Sequence, residues 1–145
     1  MPLTPRQRIL VAWLPAVAYT LLIWWLSSQA FELAFMERVP LRDKGVHFLE
    51  YGTLSFFIVH AYVVTWPRRG AMTLVHTVLC TMALGLLDEL HQSFVPGRSP
   101  DVRDVLADCV GGFVGALAVS ALFAARGEVA PDKADRPAAK SKSPS

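Results

Sequence analysis

Apolar residues along this chain gather into four long runs, and the ionisable residues gather at the ends of those runs. The runs are Ile9 to Leu26, Phe48 to Trp66, Ala71 to Leu87 and Val105 to Ala125. A helix needs about 20 largely apolar residues to cross a hydrocarbon core of roughly 30 Å. The third run reaches that length only if its helix continues through Asp88-Glu89. A buried helix of a water-soluble domain would explain that run alone, but not three neighbours of similar length. The pattern therefore predicts an all-α fold, a polytopic membrane bundle of four transmembrane helices over residues 9–125. A polar lead, residues 1–8, precedes it. After Arg126 the chain turns to Ala, Pro, Lys, Asp and Ser without an apolar period, so residues 126–145 are expected to be a disordered tail.

Composition agrees. The 145 residues suffice for one domain, and 53% of them are hydrophobic. The mean hydropathy of +0.38 is too high for an ordinary soluble domain of this size. The net charge of +2 says little about partners, and no nucleic-acid signature is present. The expected partner is the lipid bilayer itself. Cys80 and Cys109 lie in apolar runs without CxxC spacing and read as small buried hydrophobes.

The first run has some marks of a signal peptide, with Arg6 and Arg8 before it and Ser28-Gln29-Ala30 after it. Its apolar stretch exceeds the usual signal core of about 7–15 residues. Trp24 and Trp25 at its far end suit an interfacial aromatic belt. It is read as a retained helix, with Pro15 a candidate kink.

Lys and Arg in short loops set orientation. With a cytoplasmic N-terminus, that side carries Arg6, Arg8, Arg68, Arg69, Arg126, Lys133, Arg136, Lys140 and Lys142. The other carries Arg38, Arg42, Lys44, Arg98 and Arg103. The bias puts both termini in the cytoplasm. Pro67 to Gly70 reads as a tight inner turn, and Ser27 to Arg42 as a longer outer connection.

The second helix then starts where the third ends and the fourth begins, so three polar clusters meet at one membrane face. Asp43, Lys44, His47, Glu50 and Tyr51 open the second helix. Asp88, Glu89, His91 and Gln92 close the third, and Pro96-Gly97-Arg98, Asp101, Arg103, Asp104 and Asp108 lead into the fourth. Ionisable groups near hydrocarbon cost free energy and mark functional sites by default. Helical spacing of three and four aligns Asp43, His47, Glu50 and Tyr51, and separately Asp104 and Asp108, whose line continues through Gly112 and Ala116. Ala107, Gly111 and Gly115 form a small-residue stripe suited to helix packing.

Three uses of this set compete. In a structural network, Lys44, Arg98 and Arg103 neutralise Asp43, Asp88, Glu89, Asp104 and Asp108. In a headgroup site, Arg98 clamps a phosphate or carboxylate and His47 or His91 moves protons, with a neighbouring carboxylate as orienter. Here the catalytic candidates are His47, Glu50, Asp88 and His91. In a metal site, His47-x-x-Glu50 and Asp88-x-x-His91 supply carboxylate–imidazole pairs. Neither HExxH nor a paired ExxH pattern is present, so no metal or other cofactor is expected. His60 and His76, towards the inner ends of their helices, read as interfacial or packed. Ser27-Ser28 reads as a cap level with the cluster.

Three ordered blocks resemble the VanZ-like membrane proteins. They are Asp43-Lys44-x-x-His47-Phe48-x-x-Tyr51, Asp88-Glu89-x-x-Gln92-x-Phe94-x-Pro96-Gly97-Arg98, and Asp104-x-x-x-Asp108-x-x-Gly111-x-x-x-Gly115. Ser27-Ser28-Gln29 also resembles that family's pattern, and the likeness covers about residues 9 to 125. Family members often carry Asn where Asp108 stands, so this chain adds a charge there. The resemblance implies a multi-pass protein of the bacterial inner membrane. It also brings an association, through the family's namesake, with resistance to teicoplanin. The expected ligand-binding residues are Asp43, Lys44, His47, Tyr51, Asp88, Glu89, Gln92, Arg98, Arg103, Asp104 and Asp108. The expected role is binding or shielding an anionic envelope lipid or lipid-linked precursor at an extracytoplasmic site. The alternatives are a hydrolase or transferase acting on a lipid phosphate, and a scaffold.

Overall fold

A computed structural model describes residues 2–29, 42–66 and 70–126, with the side chains of residues 42, 43 and 70 outside the described set. The expected tail at 127–145, most of the connection between the first two helices and the turn at 67–69 also lie outside it. Four α-helices make up the fold: α1 (Pro5–Ser27), α2 (Arg42–Thr65), α3 (Gly70–Gln92) and α4 (Val102–Ala125). Each is long and apolar enough to cross a membrane, and no strand occurs among the described residues.

Local chemistry explains the helix ends. α1 starts at Pro5, ahead of its apolar run, because Thr4 and Gln7 form a reciprocal capping box. The Thr4 amide donates to Gln7 Oε1 at 2.9 Å, and the Gln7 amide donates to Thr4 Oγ1 at 3.3 Å. Pro5 occupies the first turn, where no amide is required. Pro15 lies inside α1 without ending it. α3 runs through Asp88-Glu89 to Gln92, which gives the third apolar run its spanning length. Asp101 caps α4 by accepting the Arg103 amide at 2.9 Å.

The packing suits a lipid solvent. Leu10, Leu21, Trp25, Leu49, Leu86, Leu106 and Leu122 are exposed, whereas Ser55, Thr73, Thr77, Thr81, Asp88 and Asp108 are fully buried. Lipid tails are as apolar as leucine, so helices in a bilayer associate through close packing and hydrogen bonds. α2 packs most extensively on α4. A Cβ on Gly111 would overlap the Phe48 carbonyl, and one on Gly115 would overlap the Gly52 carbonyl. Both obstacles are backbone, so the glycines set the approach of the two helices. Ser55 Oγ lies 2.7 Å from the Gly112 carbonyl across this crossing. α1 sits mainly against α2, where Trp13 Nε1 donates to Thr65 Oγ1 at 3.0 Å, and touches α3 less.

This asymmetry leaves an apolar groove of about 450 Å³ between α1 and α3, lined among others by Trp13, Val17, Leu21, Trp24, Cys80, Ala83 and Leu87. The expectation that both cysteines are buried is therefore corrected. Cys80 is exposed at the groove wall and Cys109 is half-buried, because α3 turns the Cys80 face outwards, away from α4.

A polar site at one end of the bundle

The start of α2, the end of α3 and the start of α4 converge. On α2, Lys44, His47 and Tyr51 are spaced by three and four and so share a face, which turns inward. His47 and Tyr51 are buried, and Glu50 is half-buried. The side chain of Asp43, expected on this stripe, lies outside the described residues. α4 sends Asp104 and Asp108 inward one turn apart, and α3 sends Asp88, Glu89 and Gln92.

Contacts across the helices follow. His47 Nδ1 and Asp108 Oδ1 are 2.9 Å apart, and an ionised Asp108 places the imidazole proton on Nδ1. Lys44 Nζ bridges Asp104 Oδ1 at 2.8 Å and Asp101 Oδ2 at 3.0 Å. Glu89 Oε2 accepts the Asp101 amide at 2.8 Å, tying the end of α3 to the cap of α4. Gln92 Nε2 donates to Asp88 Oδ2 at 3.1 Å. Asp108 also lies against Gly85, where an added Cβ would come within 2.8 Å of Oδ2. Outside the spanning segments, the Arg103 amide and then Lys44 hold the Asp101 carboxyl below its ordinary value.

Among the described residues, three buried carboxylate oxygens keep no hydrogen-bond partner: Asp88 Oδ1, Glu89 Oε1 and Asp108 Oδ2. These unmet acceptors mark one half of the site. Unmet donors mark the other, next to the end of α1. There the buried Trp24 Nε1, Ser27 Oγ and Arg98 Nε also find no partner among the described residues. His91 belongs to this second half. Its Nε2 is 2.8 Å from Ser28 Oγ, and its ring stacks on Trp24 at 5.8 Å between centroids with 12° between planes. Arg98 Nη2 donates to the Gln29 carbonyl at 3.1 Å. The arginine is aimed there by a turn in which the Arg98 amide bonds the Val95 carbonyl at 3.1 Å. Pro96 fixes φ in that turn and Gly97 takes a φ of 84°.

The expected neutralisation of acids by Lys44, Arg98 and Arg103 is met only by Lys44. Among the described residues, no ion pair joins Arg98 or Arg103 to a carboxylate. Arg103 is exposed and contributes its backbone amide. His91 turns to α1, so the Asp88-x-x-His91 spacing does not bring these two together in a hydrogen bond. Asp101 was expected in the polar cluster but not among the ligand-binding residues, and Trp24 and Gln29 were outside the expected site. Asp101 carried a signal, since an Asp immediately before an apolar helix is a preferred N-cap. Ser28 joins the cluster, as its level in the membrane allowed. His60 is exposed, and His76 stacks on Tyr62 at 5.2 Å, away from this end.

Fold and site together define a polytopic α-helical membrane protein with a divided polar site at one end of its bundle. The VanZ/LLP1 family profile matches residues 4–124, and the chain belongs to that family. Comparison with curated proteins and with solved structures returns no match.

Proposed function

We propose that this VanZ-family protein binds an anionic phospholipid or lipid-linked envelope precursor in the outer leaflet of the bacterial inner membrane. An acyl chain occupies the α1/α3 groove, and the phosphate meets the donors of Trp24, Ser27 and Arg98, beside the Ser28–His91 pair. One observation carries this reading. Trp24 lines the apolar groove and also carries a buried Nε1 with no partner among the described residues. Trp24 thus places a hydrogen-bond donor beside a surface suited to hydrocarbon. Unpartnered buried donors are costly, and a phosphate oxygen would satisfy them. The carboxylates of the other half repel the phosphate and favour its place beside α1. The excess of basic residues on the opposite face supports the outward orientation of the site.

A second reading has its own observation, the 2.8 Å approach of Ser28 Oγ to His91 Nε2, the geometry of a nucleophile and its base. Ser28 Oγ also lies 2.7 Å from the Trp24 carbonyl. The single hydroxyl proton satisfies that carbonyl, while His91 donates to the serine. Binding is therefore preferred over hydrolysis or transfer.

Native mass spectrometry of protein extracted in mild detergent tests the proposal. Wild type is expected to retain one phospholipid. Ala83→Trp, which fills the groove, is expected to lose most of it. Arg98→Ala is expected to lower the preference for anionic over zwitterionic lipid about tenfold, from the loss of a charge-assisted contact. Equal lipid retention by wild type and Ala83→Trp would refute the proposal.

A further inference from the structure

The acceptor half of the site has a different chemistry. His47 from α2, Glu89 from α3 and Asp104 from α4 are all buried, and one ligand atom of each lies within 4.8 Å of the others. No two of these residues are close in sequence, so no spacing motif announces them. Among the described residues, Lys44 is the one ammonium paired with a carboxylate here, and it meets Asp101 and Asp104 but not Asp88, Glu89 or Asp108. Glu89 is only 6% exposed, and its Oε1 has no hydrogen-bond partner among the described residues. A buried carboxylate with an unmet oxygen is stabilised by a cation or a proton.

We propose that His47, Glu89 and Asp104 bind one divalent transition cation, Mn²⁺ or Zn²⁺. One imidazole and two carboxylates combine the donor preferences of these ions. Asp108 holds His47 Nδ1 at 2.9 Å, so coordination comes from Nε2. This is the carboxylate–imidazole–metal arrangement that fixes ring orientation and raises ligand basicity. Metal–ligand bonds of about 2.1 Å place tetrahedral ligands roughly 3.4 Å apart. The three ligand atoms therefore close by no more than about 1.4 Å on binding. Lys44 already holds Asp104 Oδ1 at 2.8 Å and competes with the ion for it. The site stands independently of lipid binding and is tested without lipid.

The experiment is titration of chelator-stripped, detergent-solubilised protein with MnCl₂ and with ZnCl₂ by isothermal calorimetry. Mn²⁺ electron paramagnetic resonance reads the ligands. Wild type is expected to bind one equivalent saturably, with nitrogen coupling to Mn²⁺ that disappears in His47→Gln. Glu89→Gln and Asp104→Asn are expected to weaken binding at least tenfold, and His60→Ala and His76→Ala to leave it unchanged. Lys44→Met is expected to tighten binding, a gain that a damaged fold does not produce. Absence of saturable binding to folded wild type overturns the proposal, whatever the variants do. Equal affinity in wild type and Glu89→Gln, loss of binding in His76→Ala, or weaker binding in Lys44→Met overturns it too.

Discussion

Replacing Gly111 by Ala tests the geometry on which the polar site depends. The new Cβ would overlap the Phe48 carbonyl carbon and oxygen, which belong to the backbone of α2. No side-chain rotation relieves that overlap, so α2 and α4 must separate by about 1 Å to restore van der Waals contact. Overpacking of this kind costs about 1–3 kcal/mol. Phe48 directly follows His47, so the separation also stretches the 2.9 Å bond from His47 to Asp108. In thermal unfolding of detergent-solubilised protein, Gly111→Ala is expected to lower Tm by several degrees. Gly45→Ala is the control. Its Cβ meets nothing within 4 Å, and helix propensity favours alanine by roughly 1 kcal/mol, so Tm is expected to hold or rise. Equal Tm values for the two variants would refute the claim that Gly111 sets the helix approach.

Gly85→Ala is expected to destabilise the protein and disturb the His47 resonance in NMR, because its Cβ displaces the buried Asp108 carboxylate; an unchanged imidazole signal would refute this. Asp108→Ala removes the partner of the buried His47 and is expected to cost about 1–3 kcal/mol, while Asp108→Asn retains an oxygen for Nδ1–H and costs less; the ranking is read from Tm. The lowered Asp101 pKa contributes stability above the ordinary aspartate value, lost as pH falls through the lower folded value. An acid titration of Tm from roughly pH 4 downwards is therefore expected to be shallower in Asp101→Asn, and identical acid limbs would count against the cap. In a background lacking Cys80 and Cys109, an impermeant maleimide added to intact cells is expected to label Ser99→Cys and not Pro2→Cys; the reverse pattern would overturn the outward orientation of the site.

The helices were legible because hydrocarbon thickness makes a demand on uninterrupted apolar length, and Ile9 to Leu26 or Val105 to Ala125 meets it without reference to any partner. The meeting of the three polar clusters was legible for a related reason. Successive spans reverse direction, so the end of α3 must adjoin the starts of α2 and α4. The packing role of Gly111 and Gly115 was also readable, since a four-residue stripe of small residues admits a second helix. Less legible was the start of α1, where a polar capping box outranks hydropathy.

Sequence by itself therefore determined the membrane class, the number of helices, the family pattern and the shared end of the polar residues. These follow from local length, periodicity and connectivity. Tertiary structure alone decided which polar groups meet. It gave Lys44 to Asp101 and Asp104, His47 to Asp108, and His91 to Ser28 and Trp24. It also opened the groove between α1 and α3 and divided the site into donor and acceptor halves. The reason is rotational. Spacing along one helix sets which residues share its face, but the direction of that face depends on how the helices turn about their axes, and crossings such as Gly111 on Phe48 set that turn.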